Sequence, residues 1–211
     1  MGLDSFVLII ISSEVTLTDF IKNICVYSSS SNILPEIYYK VAQELGVLMA
    51  KNGFNLVYGG GSVGTMYENA KAMKEFGGEV IGVIPEKLHS IGVANPHCDE
   101  LVITKCMRTR KDKLDKISDA AIALAGGFGT LEELSEMIVQ KQLGYNNKAV
   151  VILNTNGFYD NLLKFFEEII EQNFADQNSR ELFFVAQTPE EAINYLKNYS
   201  PRHFDIHAKV N

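Results

Sequence analysis

Two stretches of this chain hold residue types that could do chemistry on a phosphorylated ligand. One is Met107-Arg108-Thr109-Arg110-Lys111, with three cations in four positions. An arginine there could grip a phosphate bidentately or orient a sugar. The other is Ala125-Gly126-Gly127-Phe128-Gly129-Thr130-Leu131-Glu132-Glu133. Glycines after an apolar run let a backbone approach a ligand closely, and a helix opening just beyond them aims free N–H groups and its positive end at the same spot. Gly59-Gly60-Gly61 repeats that arrangement earlier in the chain. Two such turns in one small domain indicate a site for a phosphorylated, nucleotide-like ligand.

Each stretch also has a plainer explanation. A charge run on a helix is commonly a solvated face. Thr130 with Glu133 three residues on matches the T-x-x-E capping box, in which the glutamate serves only the helix end. Glu132 and Glu133 point about 100° apart on a helix, so only one of them can face a ligand. Gly59, Gly61 and Gly64 satisfy G-x-G-x-x-G spacing, which could mark a dinucleotide site with Glu86 near the ribose, or only a tight strand-to-helix turn.

The surrounding pattern says what must position these residues. Apolar runs at 24–27, 54–58, 80–84, 101–104, 120–124, 149–153 and 182–185 read as strands. Helical spacing predicts helices near 35–51, 63–76, 107–117, 130–143, 158–173 and 189–197, with 86–99 irregular. Strands that are continuously apolar and alternate with helices predict a doubly wound, Rossmann-like α/β fold, with a parallel sheet covered on both faces. Ligands of such sheets bind at the carboxyl ends of the strands, where both glycine turns and Ser28-Ser29-Ser30-Ser31 fall.

Composition narrows the class. The 211 residues suit one domain, here 21–198, with an extension at 1–20 and a mobile tail at 199–211. A net charge of -7 argues against a nucleic-acid backbone as partner, though not against a local anion site. Cys25, Cys98 and Cys106 form no CxxC pair, which fits reduced thiols in a cytoplasmic protein. The histidines form no HExxH motif, so no metal is expected. Phe6–Ile11 is apolar but has no preceding Lys or Arg and is too short to span a bilayer. It is read as an extra strand or an extension packed on the core or on a second subunit.

Together these residues resemble the LOG ("lonely guy") family, long mislabelled as lysine decarboxylases. That family pairs Arg-Lys with a downstream P-G-G-x-G-T-x-x-E, seen here as Arg110-Lys111 and 125–133. The resemblance continues through Tyr58-Gly59-Gly60-Gly61-Ser62-Val63-Gly64, Gly78-Glu79-Val80-Ile81-Gly82-Val83-Ile84-Pro85, Leu143-Gly144 and Asn154-Thr155-Asn156-Gly157-Phe158-Tyr159, and spans about 24–196. It implies a Rossmann-like fold, a homodimer and no cofactor. It also implies hydrolysis of the N-glycosidic bond of AMP or N6-modified, cytokinin-type adenosine 5′-monophosphates. Arg110 and Glu133 would be the catalytic pair. Substrate would be held by Ser30, Gly60, Gly61, Met107, Lys111, Gly126, Gly127, Gly129 and Thr130.

The chain departs from the family pattern in three places. Ala125 replaces proline, Ser28-Ser29 replaces Cys-Gly, and Thr65 and Tyr67 stand where Leu and Gly are usual. A non-catalytic nucleotide- or cofactor-binding protein on the same scaffold is the alternative. Dinucleotide oxidoreduction is a third reading, and lysine decarboxylation the weakest.

Overall fold

A computed structural model of the chain describes residues 21–202 and Phe204. The expected extension at 1–20 and most of the expected tail lie outside those residues. The strands are β1 (Asn23–Tyr27), β2 (Asn55–Tyr58), β3 (Val80–Pro85), β4 (Glu100–Thr104), β5 (Ala120–Ala123), β6 (Ala149–Leu153) and β7 (Phe184–Ala186). The helices are α1 (Glu36–Lys51), α2 (Gly64–Glu75), α3 (Glu86–His89), α4 (Met107–Ile117), α5 (Phe128–Gln142), α6 (Asp160–Glu171) and α7 (Pro189–Lys197). All seven strands pair in parallel, in the order β4-β3-β2-β1-β5-β6-β7.

The reason is visible in burial. β3, β5 and β6 are buried along their whole length, as strands covered on both faces must be. Alternate residues of β1 feed two cores. Ile24 and Val26 pack with Leu45, Met49, Met73, Ile193 and Leu196. Cys25 and Tyr27 pack with Leu114, Leu134, Met137 and Tyr159. Thus α1, α2 and α7 cover one face, and α4, α5 and α6 the other.

The chain runs outward from β1 through β2, β3 and β4, then returns to β5 on β1's other side. That reversal opens a crevice at the carboxyl ends of β1 and β5, the usual ligand site of an open α/β sheet.

Three local expectations are corrected. The segment 86–99 contains one helical turn, α3, and is strapped to the first glycine turn: the Asn95 N–H donates to the Gly60 carbonyl (2.8 Å), and the Asn95 side chain donates to the Tyr58 hydroxyl (3.0 Å). The last strand is Phe184–Ala186 rather than 182–185. The tail does not loosen at Tyr199. Its ring packs near Tyr195, and its hydroxyl donates to the Asn147 carbonyl (2.7 Å).

Candidate active site

The second glycine turn leaves β5 and becomes α5 sooner than its sequence suggests. Gly127 is the N-cap, helical backbone begins at Phe128, and no side chain caps the helix. Thr130 is therefore the third helical residue, not the cap. Its hydroxyl donates instead to the Ser28 carbonyl after β1 (3.1 Å), which joins the two loops at the crevice. The capping-box explanation of Glu133 fails, because Glu133 lies in the second turn and binds elsewhere.

Its partner is Arg110 on α4. Arg110 Nη1 donates to Glu133 Oε1 at 2.8 Å, and Arg110 Nε donates to the Val83 carbonyl at 3.0 Å. Both side chains are 11% exposed, so the pair is sheltered but reachable. Burial raises the Glu133 carboxyl above its ordinary value, and Arg110 opposes that rise. A raised carboxylate beside a fixed cation in a crevice is the kind of group that serves acid–base or charge-stabilising chemistry.

Gly59 explains how Arg110 reaches that place. A Cβ on Gly59 would run into Arg110 Nη2. The first glycine turn therefore makes room for the guanidinium. Its other glycines are committed to the protein. The Gly60 carbonyl is held by Asn95, and the Gly61 carbonyl accepts from the Tyr58 hydroxyl (3.2 Å). Gly64, at φ +65°, presses on the backbone of Ser29 and Ser30, where a Cβ would collide, and its N–H donates to Asn32 Oδ1 (2.8 Å). A dinucleotide pyrophosphate would need the α2 N-terminus, and the chain's own serine loop occupies it.

The other expected residues take distinct positions. Lys111 turns to Glu132 and Glu136 on α5, at 2.8 Å for the latter, rather than toward the glycine turn. Met107 is the first residue of α4 and is exposed, and Ser30 is exposed on the loop after β1. Gly126 packs against Thr130, whereas a Cβ on Gly127 or Gly129 would meet only open space. The N–H groups of Phe128, Gly129 and Thr130 begin an uncapped helix, with no intrahelical or side-chain partner among the described residues. They are a ready anion site.

A cleft of about 180 Å³ lies beside this turn, lined by Ser29, Leu34, Tyr38, Ala125, Gly126, Gly127 and Phe158. Its apolar side is built by the edge-on rings of Tyr38 and Phe158 (5.9 Å). Next to Ser29 in sequence, the Ser28 hydroxyl oxygen is buried without a partner among the described residues. Two departures from the family pattern meet at this rim. The Thr65 hydroxyl accepts from the Ser29 N–H (3.0 Å) and donates to the Ser29 carbonyl.

Sequence reasoning missed two supports. Asn154 accepts from the Tyr159 N–H (2.7 Å) and donates to Asp160, and the Tyr159 hydroxyl donates to the Leu124 carbonyl (2.7 Å) just before the glycine turn. Asn95 secures the first turn, as described. The Asn154–Tyr159 motif was visible in the sequence, but its purpose needed the contact.

Comparison with known proteins decides the family. A family profile described as "Possible lysine decarboxylase" matches residues 49–196. A rice protein named "Probable cytokinin riboside 5'-monophosphate phosphoribohydrolase LOGL2" is 40% identical over 189 residues, covering 90% of this chain and 78% of its own. The chain belongs to the LOG family. The Arabidopsis thaliana relative named cytokinin riboside 5'-monophosphate phosphoribohydrolase LOG4 is 38% identical over 187 residues, 89% of this chain and 87% of that one. Among solved structures, the molybdenum cofactor binding protein of Rippkaea orientalis superposes with TM-score 0.65 at 26% identity, covering 84% of this LOG chain and 96% of that one. The Chlamydomonas reinhardtii Moco carrier protein gives 0.64 at 28%, over the same shares.

Proposed function

We propose that this LOG-family chain is a phosphoribohydrolase, cleaving the N-glycosidic bond of AMP or an N6-modified adenosine 5′-monophosphate. The observation that carries the reading is the buried Arg110–Glu133 pair, set beside an uncapped helix N-terminus at the sheet's reversal point. The names of the plant relatives support the same reaction class.

In this reading the 5′-phosphate sits on the N–H groups of Phe128, Gly129 and Thr130, beside Gly126 and Gly127. That remote binding energy holds the ribose C1′ against Glu133. Breaking the C1′–N bond develops positive charge on the ribosyl ring, and a carboxylate at that point stabilises it or accepts the proton of the attacking water. Water oxygen bonds to C1′, the bond electrons leave with the base nitrogen, and that nitrogen ends protonated. Arg110 keeps Glu133 ionised and aimed. Ser30 and Met107 border the substrate as exposed loop and rim groups, whereas Gly60 and Gly61 shape the turn that admits Arg110 and Lys111 orders α4 against α5.

Chromatography of the protein incubated with AMP, and separately with isopentenyl-AMP, tests this by free base release. The ratio of rates identifies the preferred substrate. Glu133→Gln should abolish release while the chain stays folded; full activity in that variant rejects the assignment. The two cofactor-binding structures favour a second reading, in which the same crevice binds a phosphorylated ligand without hydrolysis. Tight AMP binding with no base after long incubation would establish that one.

Homodimer assembly belongs to the proposal as well. Exposed Val139 on α5 and exposed Phe174 beyond α6 line a groove of about 240 Å³, whose apolar walls include Phe166 and Ile169 of α6. Large apolar groups left in water along one side of two helices suit a second copy.

A further inference from the structure

Lys141 lies in the last turn of α5, a helix about 20 Å long whose first turn forms the proposed phosphate site. It is 1% exposed. Its ammonium sits 5.2 Å from the Tyr199 ring centre and 5.8 Å from that of Phe204. No carboxylate pairs with it among the described residues. Burial, with repulsion from Arg202 added, brings its titration down to about 8. A buried cation without a counter-ion is costly. Two aromatic faces and the negative end of α5 offset part of that cost, but neither supplies a full opposite charge.

Lys141 also lines a cavity of about 410 Å³. Phe183, Phe184, Tyr195 and Tyr199 form much of its wall, with Phe184 and Tyr195 stacked 4.2 Å apart at 4°. Glu181 and Arg202 line it too, but they pair with each other. None of the residues assigned above to the LOG reaction lines this space. A roomy cavity with aromatic walls and one buried, uncompensated cation is a binding site in all but its ligand.

We propose that this cavity binds a small aromatic monocarboxylate, its carboxylate on Lys141 and its ring among Phe184, Tyr195 and Tyr199. One negative charge balances one ammonium. A dianion such as inorganic phosphate would bring a second negative charge against aromatic walls, where the Arg202 guanidinium is already paired to Glu181. A planar apolar body matches the offset and edge-on arrangements those rings accept.

Benzoate is the probe, titrated by calorimetry into the full chain, with inorganic phosphate in parallel. Saturable benzoate binding that phosphate does not compete, and that saturating AMP leaves unchanged, is expected. Lys141→Met should weaken it at least about tenfold. As a check independent of that variant's folding, reductive methylation of the wild-type chain is read by peptide mass, and benzoate should slow labelling of Lys141. No saturation, or binding that persists in Lys141→Met, overturns the proposal. So does binding seen only when residues 205–211 are removed, since the chain's own terminal segment would then be the occupant.

Discussion

At the scale of single residues, the site depends on space as much as on charge. Arg110 can reach Glu133 and the Val83 carbonyl because Gly59 has no side chain. Gly59→Ala should push the guanidinium off line and lower kcat by about 100-fold, the cost expected of a displacement near 1 Å in a catalytic group. The fold should survive, because a shift of one arginine end relieves the clash; unchanged kcat would show that Arg110 does not position the carboxylate. The pH dependence follows from Glu133. Burial raises its carboxyl above 4.5, and the proposed chemistry needs it ionised. Activity should therefore fall as pH drops through a value above the ordinary carboxylate range. An acid limb at or below 4.5 in the kcat/KM profile would contradict the assigned group. Lys111, next in sequence to Arg110, shows how narrow the angular margin is. It points to Glu132 and Glu136, so it orders α4 against α5.

At the scale of elements, the two glycine turns serve different ends. The turn into α5 leaves its first N–H groups open, while the turn into α2 is filled by the loop after β1. Gly64→Ala should destabilise the chain by about 2 kcal/mol, through a strained φ of +65° and contact with the Ser29 and Ser30 backbone. Urea unfolding measures this, and a loss well under ~0.5 kcal/mol would mean the loop yields freely. All the strands but the shifted β7 were legible in the sequence because a parallel sheet covered on both faces demands unbroken apolar runs, and α4 and α7 were legible to the residue. The start of α5 was not. Thr130 and Glu133 have capping-box spacing, yet Phe128 and Gly129 already adopt helical backbone and leave Thr130 free to tie Ser28. Arg110 and Glu133 were legible as a family pattern, but their ion pair, like the grip of Asn95 on Gly60, joins residues more than twenty positions apart. Spacing along one element carries no record of such contacts. The same holds for Tyr199, whose hydroxyl is held by the Asn147 carbonyl far back in the chain.

At the scale of the whole molecule, α5 connects an end that offers N–H groups to a phosphate with an end that buries a lysine. The homodimer proposal places this helix at the subunit contact, so Val139→Asp together with Phe174→Asp should yield a monomer in light scattering; an unchanged mass would move the interface elsewhere. Lys141 also leaves a mark on stability. Unfolded, a lysine titrates near 10.4, but folded Lys141 titrates at about 8. Below pH 8 both states are protonated, and burial of the charge destabilises the fold in full. Between about 8 and 10.4 the unfolded chain holds a proton that the folded chain has released, so stability from this group rises with pH. Lys141→Met, which keeps the apolar stem and removes the charge, should therefore be more stable than the parent at pH 7. That advantage should shrink steadily toward pH 10. Urea unfolding of both chains at pH 7, 9 and 10 measures the difference with other titrations cancelled. A gap that stays constant across this range would mean Lys141 is charged in the fold throughout, with a counter-ion already in place. A gap that narrows in buffer alone but is nearly absent at pH 7 in saturating benzoate would tie the stability cost to the cavity ligand it lacks.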